Sequence, residues 1–525
     1  MKKHISYIFI ILFLSASSLF AQWISLDGTT KANKPNVKVL KSDNSSLLIE
    51  ISLPGIETAK RTEASKTFDV LRFPEYYTTL EIGKPQLPAI RELVGVPEFS
   101  NYKFSLVDSS IITLINYNIF PFQKPVLECE KEELIIDGSF YQKDGFYPKN
   151  IVELDKPNIW RDVKVARLSI FPVRYNPKTK TLKIYQRVVI RIDIENAAGS
   201  VFTREKSISQ EWEKLFKNSI INYDFMHQSM NKDNSINTIN SIGDYDYLII
   251  AANDYLDAIQ PLAQWKTRSG LLSKVVSVND IGNNQTSIKN YISDEYYNHN
   301  IRYVLLVGDI SQLSWSTYFP NLPGDYWYSL IDGGDLLPEL SIGRISAIST
   351  TEVKHITNKG INYETIPLVS SWVRNVLLVA HKEGAPGKYQ GCKEQIRTHD
   401  YFHDPNFITA YGASSAYGGD EATNADVNSY INSGVGVVNY RGHGNDYYWG
   451  GEDFMGNPSP WNINNEIYTT EEARDLTNGN KTPIVFSIAC LNANLEYSYE
   501  CLAEAFTKAD YGATAILEQP DLHLQ

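Results

Sequence analysis

Residues 434–444 read GVGVVNYRGHG and residues 483–490 read PIVFSIAC. Each is a short apolar run that closes on a chemically capable residue, His443 in the first and Cys490 in the second. Continuous runs rich in Val and Ile, alternating with helix-like segments, are the strands of a parallel sheet covered on both faces. The pattern recurs in YDYLIIA (245–251), SKVVSV (273–278), IRYVLLVG (301–308), RNVLLVA (374–380) and GATAIL (512–517). The second half is therefore expected to be α/β, doubly wound and mostly parallel. In such sheets functional groups collect beyond the carboxyl ends of the strands. His443, Cys490 and Glu383, which follows RNVLLVA, are expected on one rim.

A thiol is a weak nucleophile at neutral pH because little of it is thiolate, and a neighbouring imidazole can take its proton. Cys490 and His443 suit that dyad, with a third group to orient the imidazole. Glu383 is the favoured third group, His381 and Glu339 less so. Glycines beside the histidine let a substrate backbone approach, and the N–H groups of Gly444 and Cys490 are the expected oxyanion hole. A cysteine ending an apolar strand is usually just a small buried hydrophobe, and a histidine between glycines can serve only its turn. The pair carries more weight than either alone, because the two residues end strands of one sheet 47 residues apart, near the separation of about 50 in caspase-type sites.

Outward from this block the chain changes character. Residues 1–21 carry Lys2 and Lys3, an apolar run from Ile8 to Leu14, and a small residue, Ala21, before Gln22. That is the layout of a signal peptide, too short to span a bilayer, so the protein is expected to be secreted or held at the cell surface, with no membrane span after signal cleavage. Residues 22–196 alternate short apolar runs with turns, including SLLIEIS, YKFSLVD and a hairpin about Asn176-Pro177-Lys178-Thr179-Lys180, and are expected to form a β-rich domain. Residues 197–244 are polar and rich in Ser, Asn and Lys, with one helix candidate near Trp212 to Phe216, and read as a linker. Residues 245–525 are the α/β domain. A formal charge of −12 argues against a nucleic-acid partner. Four cysteines, at 129, 392, 490 and 501, lack the spacing of a disulfide framework or a zinc site.

NYRGHGNDYYWG (439–450) and the block EEARDLTNGNKTPIVFSIACLNANLEYSYECLAEAF (471–506) resemble the catalytic segment of the gingipain family of cysteine peptidases, which has a caspase-like fold. The resemblance reaches back to YLIIAANDYLDAIQPLAQWKTRSG and covers nearly all of 245–517, while GKPQLPAIRELVGVP (83–97) is similar to part of the family's β-rich propeptide. It implies Cys490 as nucleophile, His443 as general base and acid, and Glu383 as the supporting carboxylate. Glu394 matches the position where arginine-specific members carry an aspartate for the substrate guanidinium, which implies a basic P1 preference. The family frequently has glycine where this chain has Ala493.

The resemblance further implies a zymogen acting on protein or peptide substrates, with its own prodomain as intramolecular inhibitor. Cleavage in the linker is expected at Arg204, Lys206, Lys214 or Lys217. The chemistry requires no cofactor. Structural calcium is implied by the family and fits the acidic loops DGGD (332–335) and GGDEATNAD (418–426). Trp327, Tyr328, Tyr447, Tyr448, Trp449 and Trp461 are candidates for lining subsites or anchoring loops. After ATAIL the chain reads EQPDLHLQ, unlike the family's continuation, and is expected to be truncated there. Two alternatives stand beside the endopeptidase: a sortase-like transpeptidase using the same dyad, and a non-catalytic surface or binding protein.

Overall fold

The computed structural model describes residues 22–518 apart from 75–76, 125–132, 203–208, 227–244, 320–322, 366–369, 400–404, 445–460, 465–466, 491 and 497–499. The signal-peptide residues, Cys129, Arg204, Lys206 and the aromatic residues 447–449 lie outside the described part. The chain divides into two compact units, Met1–Asn240 and Ser241–Gln525. Among the described residues no helix is long and apolar enough to cross a membrane.

The first unit is β-rich, its described residues forming antiparallel strands in three sheets of three, five and five strands. The expected hairpin forms: Val173–Asn176 pairs with Thr181–Glu195, register Asn176 against Thr181. The Asn176 side-chain carbonyl accepts from the N–H groups of Lys178 and Thr179 at 3.1 and 3.3 Å, which closes the turn locally.

Part of the expected linker belongs to this unit instead. Gln210–Ser219 is an α-helix capped by Ser209, with Trp212 and Phe216 buried. One helical turn apart, these rings share a face, and Phe216 meets Trp160 of the β-domain at a centroid distance of 5.2 Å. Asn222 then bonds both the N–H and the carbonyl of Gly95 at 2.8 Å. Within 210–219 the polar residues form the solvent face of a docked helix. Lys214 and Lys217 lie within that helix, so cutting there requires local unfolding.

In the second unit the apolar runs form two parallel sheets. Strands β1 (Tyr247–Ala251), β2 (Ser273–Ser277), β3 (Tyr303–Val307) and β4 (Ser341–Ile345) stand in the order β2-β1-β3-β4. Strands β5 (Asn375–Ala380), β6 (Asn406–Tyr411), β7 (Val437–Arg441), β8 (Ile484–Ile488) and β9 (Ala515–Glu518) stand in the order β6-β5-β7-β8-β9. Helices cover both faces of each sheet. On the first, Ile249 and Leu305 pack with α1 (Leu256–Arg268) and α3 (Thr350–Thr365), while Leu248 and Leu306 pack with α2 (Gln285–His299).

On the second sheet, Leu377, Val379, Val438 and Val485 share a cluster with residues of α5 (Asn424–Ser433) and α6 (Leu502–Lys508). Leu378 and Ala380 on the other face pack with Tyr389 of α4 (Tyr389–Thr398). Two-sided burial is why these strands read as continuous apolar runs rather than as alternation.

Trp461 anchors the second sheet's core. It is fully buried, stacked on Tyr440 at 4.5 Å and close to Phe506 at 5.2 Å. Its role is therefore packing, as is that of fully buried Tyr328. Trp461→Ala is expected to cost about 3–5 kcal/mol, read as a fall in the denaturant midpoint of the chain.

Candidate active site

The site sits where β5, β7 and β8 end side by side. β5 and β7 are parallel neighbours with Ala380 opposite Arg441, and β7 and β8 pair Arg441 with Ile488. The residues that follow each strand therefore emerge together: His381 and Glu383 after β5, His443 after β7, Cys490 after β8. The His381 N–H donates to the Arg441 carbonyl at 3.1 Å, extending the ladder one step beyond the strands.

Two features bring the histidine and cysteine loops into contact. A Cβ added to Gly444 would lie 2.0 Å from the Cys490 carbonyl oxygen and 2.7 Å from its nitrogen, so only glycine permits this approach. Asn492, fully buried, links the same loops: its amide donates to the Gly444 carbonyl at 3.3 Å. Its side-chain oxygen accepts from Ser487 at 2.6 Å and from the Trp461 indole at 3.2 Å. The Tyr440 hydroxyl donates to the His443 carbonyl at 2.7 Å, fixing the turn from beneath.

His443 is 4% exposed, and its Nε2 lies 2.5 Å from Glu383 Oε2. The other carboxylate oxygen of Glu383 takes Lys388 Nζ at 2.7 Å. Burial works against the charge on Glu383, but the bonds from Lys388 and His443 outweigh it and hold the carboxyl below its usual 4.5. A depressed carboxyl contributes its ionised form fully above its ordinary value and loses it as pH falls through the lowered one. Lys388→Met should raise that value, so the acid limb of the kcat/KM profile is expected to move to higher pH.

His381, 5% exposed, stands edge-on to His443 with ring centroids 4.9 Å apart. Burial, with His443 beside it, pushes its imidazole down to about 4, so the ring is neutral at physiological pH. Tyr389 packs edge-on against both rings, at 5.9 and 5.5 Å. Glu339, the other less favoured orienting candidate, instead accepts from the Ile331 and Asp332 N–H groups at 2.5 and 3.0 Å, in the loop before β4. Glu394 lies on α4, its carboxylate bonded to Arg397 at 2.6 Å and to the Tyr411 hydroxyl at 2.8 Å.

The acidic loops use their carboxylates locally. Asp332 accepts from Tyr297 at 2.5 Å, Asp335 from the Leu337 N–H at 2.7 Å, Asp420 from the Tyr411 N–H at 2.9 Å, and Asp426 closes the capping box of α5. Among the described residues neither loop gathers three carboxylates, and only His381, Glu383 and His443 form such a ligand group. Cys392, Cys490 and Cys501 are in no disulfide.

Sequence reasoning passed over Asn492, Ser487, Lys388 and Tyr389. A signal for Asn492 was present, as a polar residue two positions past the cysteine in an otherwise apolar block. Its partners come from three separated segments and are invisible in the sequence.

A doubly wound α/β unit whose cysteine loop meets its histidine loop is the setting in which the comparisons with known proteins place a cysteine-type endopeptidase. The profile of peptidase family C25 matches residues 241–519, and that of the C25 propeptide matches 27–231. The chain belongs to peptidase family C25, with its propeptide. It is 27% identical over 520 residues to gingipain R2 of Porphyromonas gingivalis, covering 97% of this chain and 67% of that one. To Lys-gingipain of the same species it is 25% identical over 521 residues, 94% of this chain and 28% of that one. A crystal structure of the Arg-specific cysteine proteinase gingipain R matches 54% of this chain and 64% of its own, with 26% identity and a TM-score of 0.45.

Proposed function

We propose that the protein is an exported endopeptidase made as a zymogen, in which Cys490 is the nucleophile and His443, supported by Glu383, moves the proton. The observation that carries this is the joining of the two strand-end loops at Gly444 and Cys490, with His443 Nε2 held 2.5 Å from Glu383. With Nε2 engaged, proton exchange with Cys490 falls to Nδ1. The Cys490 thiolate adds to the peptide carbonyl, and His443 gives its proton to the leaving amine. His443 then takes a proton from water, the hydroxide attacks the thioester, and Cys490 leaves as thiolate. The N–H groups of Gly444 and Cys490 are the donors proposed for the developing oxyanion.

The propeptide match supports a prodomain that binds and blocks the catalytic unit until it is removed. A basic P1 preference is proposed through Glu394, with the substrate cation competing against Arg397 for the carboxylate. Structural calcium is kept as a proposal, with no step of the reaction depending on it.

The test is cleavage of a peptide library varied at P1, using the processed protein with Cys490→Ala as control. Cleavage after Arg or Lys that disappears in the control is the expected result, and Glu394→Gln should lower kcat/KM for those peptides roughly tenfold or more while sparing neutral P1 residues. Equal loss on all peptides would remove Glu394 from specificity.

A further inference from the structure

We propose that His381, Glu383 and His443 form a binding site for a Zn2+-like divalent transition metal, and that its occupation switches the peptidase off. The switching half rests on the reading of His443 and Glu383 given above; the metal site itself does not.

Two imidazoles and one carboxylate offer ligand atoms that lie within 4.8 Å of one another. That donor set suits Zn2+, which in open sites takes three protein ligands and a water. Zn–N and Zn–O bonds of about 2.0–2.1 Å place tetrahedral ligands ~3.3 Å apart, so the group must tighten. Glu383, whose side chain is one-third exposed, is the ligand with room to move.

An independent observation points to a ligand. His381 is 5% exposed, and its Nε2 has no hydrogen-bond partner, while its Nδ1 is held only by the Glu383 N–H at 3.2 Å. A buried ring nitrogen left without a partner loses hydrogen-bond energy for no gain in the peptidase reaction as derived. With Nδ1 accepting from that N–H, Nε2 carries the ring proton of the neutral imidazole, and a metal takes the place of this proton, which leaves to solvent or moves to Nδ1 at the cost of the Glu383 N–H bond.

The surroundings add two constraints. The histidine rings are fixed by emergence from neighbouring strands and by Tyr389, so little ordering is needed on binding. Lys388, at 2.7 Å from Glu383, competes with a cation for the carboxylate. Metal binding replaces the bond from His443 to Glu383. It thereby removes both the support of the imidazole and a position from which His443 can exchange protons.

The experiment is a Zn2+ titration of the full chain by calorimetry, with Co2+ substitution to read coordination from its visible d–d bands. The variants are His381→Gln, Cys490→Ala and Lys388→Met, each checked for folding by thermal melting. Expected are one Zn2+ per chain, tetrahedral Co2+ bands, and binding that survives Cys490→Ala, tightens in Lys388→Met and weakens roughly 100-fold or more in His381→Gln. If His381→Gln does not fold, Glu383→Gln carries the same expectation.

Absence of saturable binding would overturn the site. So would binding that survives His381→Gln and is lost in Cys490→Ala, which would put the metal on the thiolate. Peptidase activity of the processed protein, measured alongside, should fall with metal occupancy and return with a chelator. Full occupancy without loss of activity would overturn the switch. Processed protein inactive before zinc is added would count against the functional reading alone, because calorimetry on Cys490→Ala still decides the metal site.

Discussion

Cys490→Ala is expected to lower kcat by roughly 10,000-fold or more, the scale on which removal of a covalent nucleophile acts when its partners remain in place. Alanine leaves β8 and its core intact, since the side chain it replaces ends the strand at the rim and is only partly buried. The loss should therefore appear in kcat with an unchanged melting temperature. The double variant Cys490→Ala/His443→Ala should be little slower than the single one, because the imidazole has no proton to take once the thiol is gone. Activity of Cys490→Ala within tenfold of the parent would place the nucleophile elsewhere. Selective alkylation at neutral pH gives a second reading, with Cys490 expected to react ahead of Cys501, which is fully buried.

Gly444→Ala carries the second large effect. The added carbon would meet the Cys490 carbonyl oxygen at 2.0 Å and its backbone nitrogen at 2.7 Å, distances that no side-chain rotation relieves, because both atoms are main chain. The histidine and cysteine loops must move apart. Displacements near 1 Å between reacting groups cost about 100-fold in rate, and the overpacking itself costs about 1–3 kcal/mol. A fall in kcat/KM of about that size, together with a lower melting temperature, is the expected pair of results. Kinetics equal to the parent's would show that the two loops are not in contact.

Much of the site was legible because strand ends are legible. An apolar run followed by His443 or Cys490 announces both a buried strand and the rim on which its next residue stands, and Glu383 follows from the same rule. The extent of the first unit was harder to read: Trp212 and Phe216 lie in a polar segment, and only their shared helical face against Trp160 makes them core. Periodicity also could not tell one sheet from two, since pairing between strands is a long-range choice that leaves no local trace.

The sequence by itself determined the class of fold, the strand ends after which Glu383, His443 and Cys490 stand, and the family. Hydrophobic runs and turn residues are local signals, set by the burial each segment needs. The tertiary structure alone decided that Glu383 meets Nε2 of His443, that Glu394 is engaged by Arg397, that Asn492 ties two loops, and that His381 stands buried beside His443. These are contacts between segments far apart in the chain or choices among side-chain partners. They are fixed by parallel register and packing, and by which polar groups find partners once water is excluded.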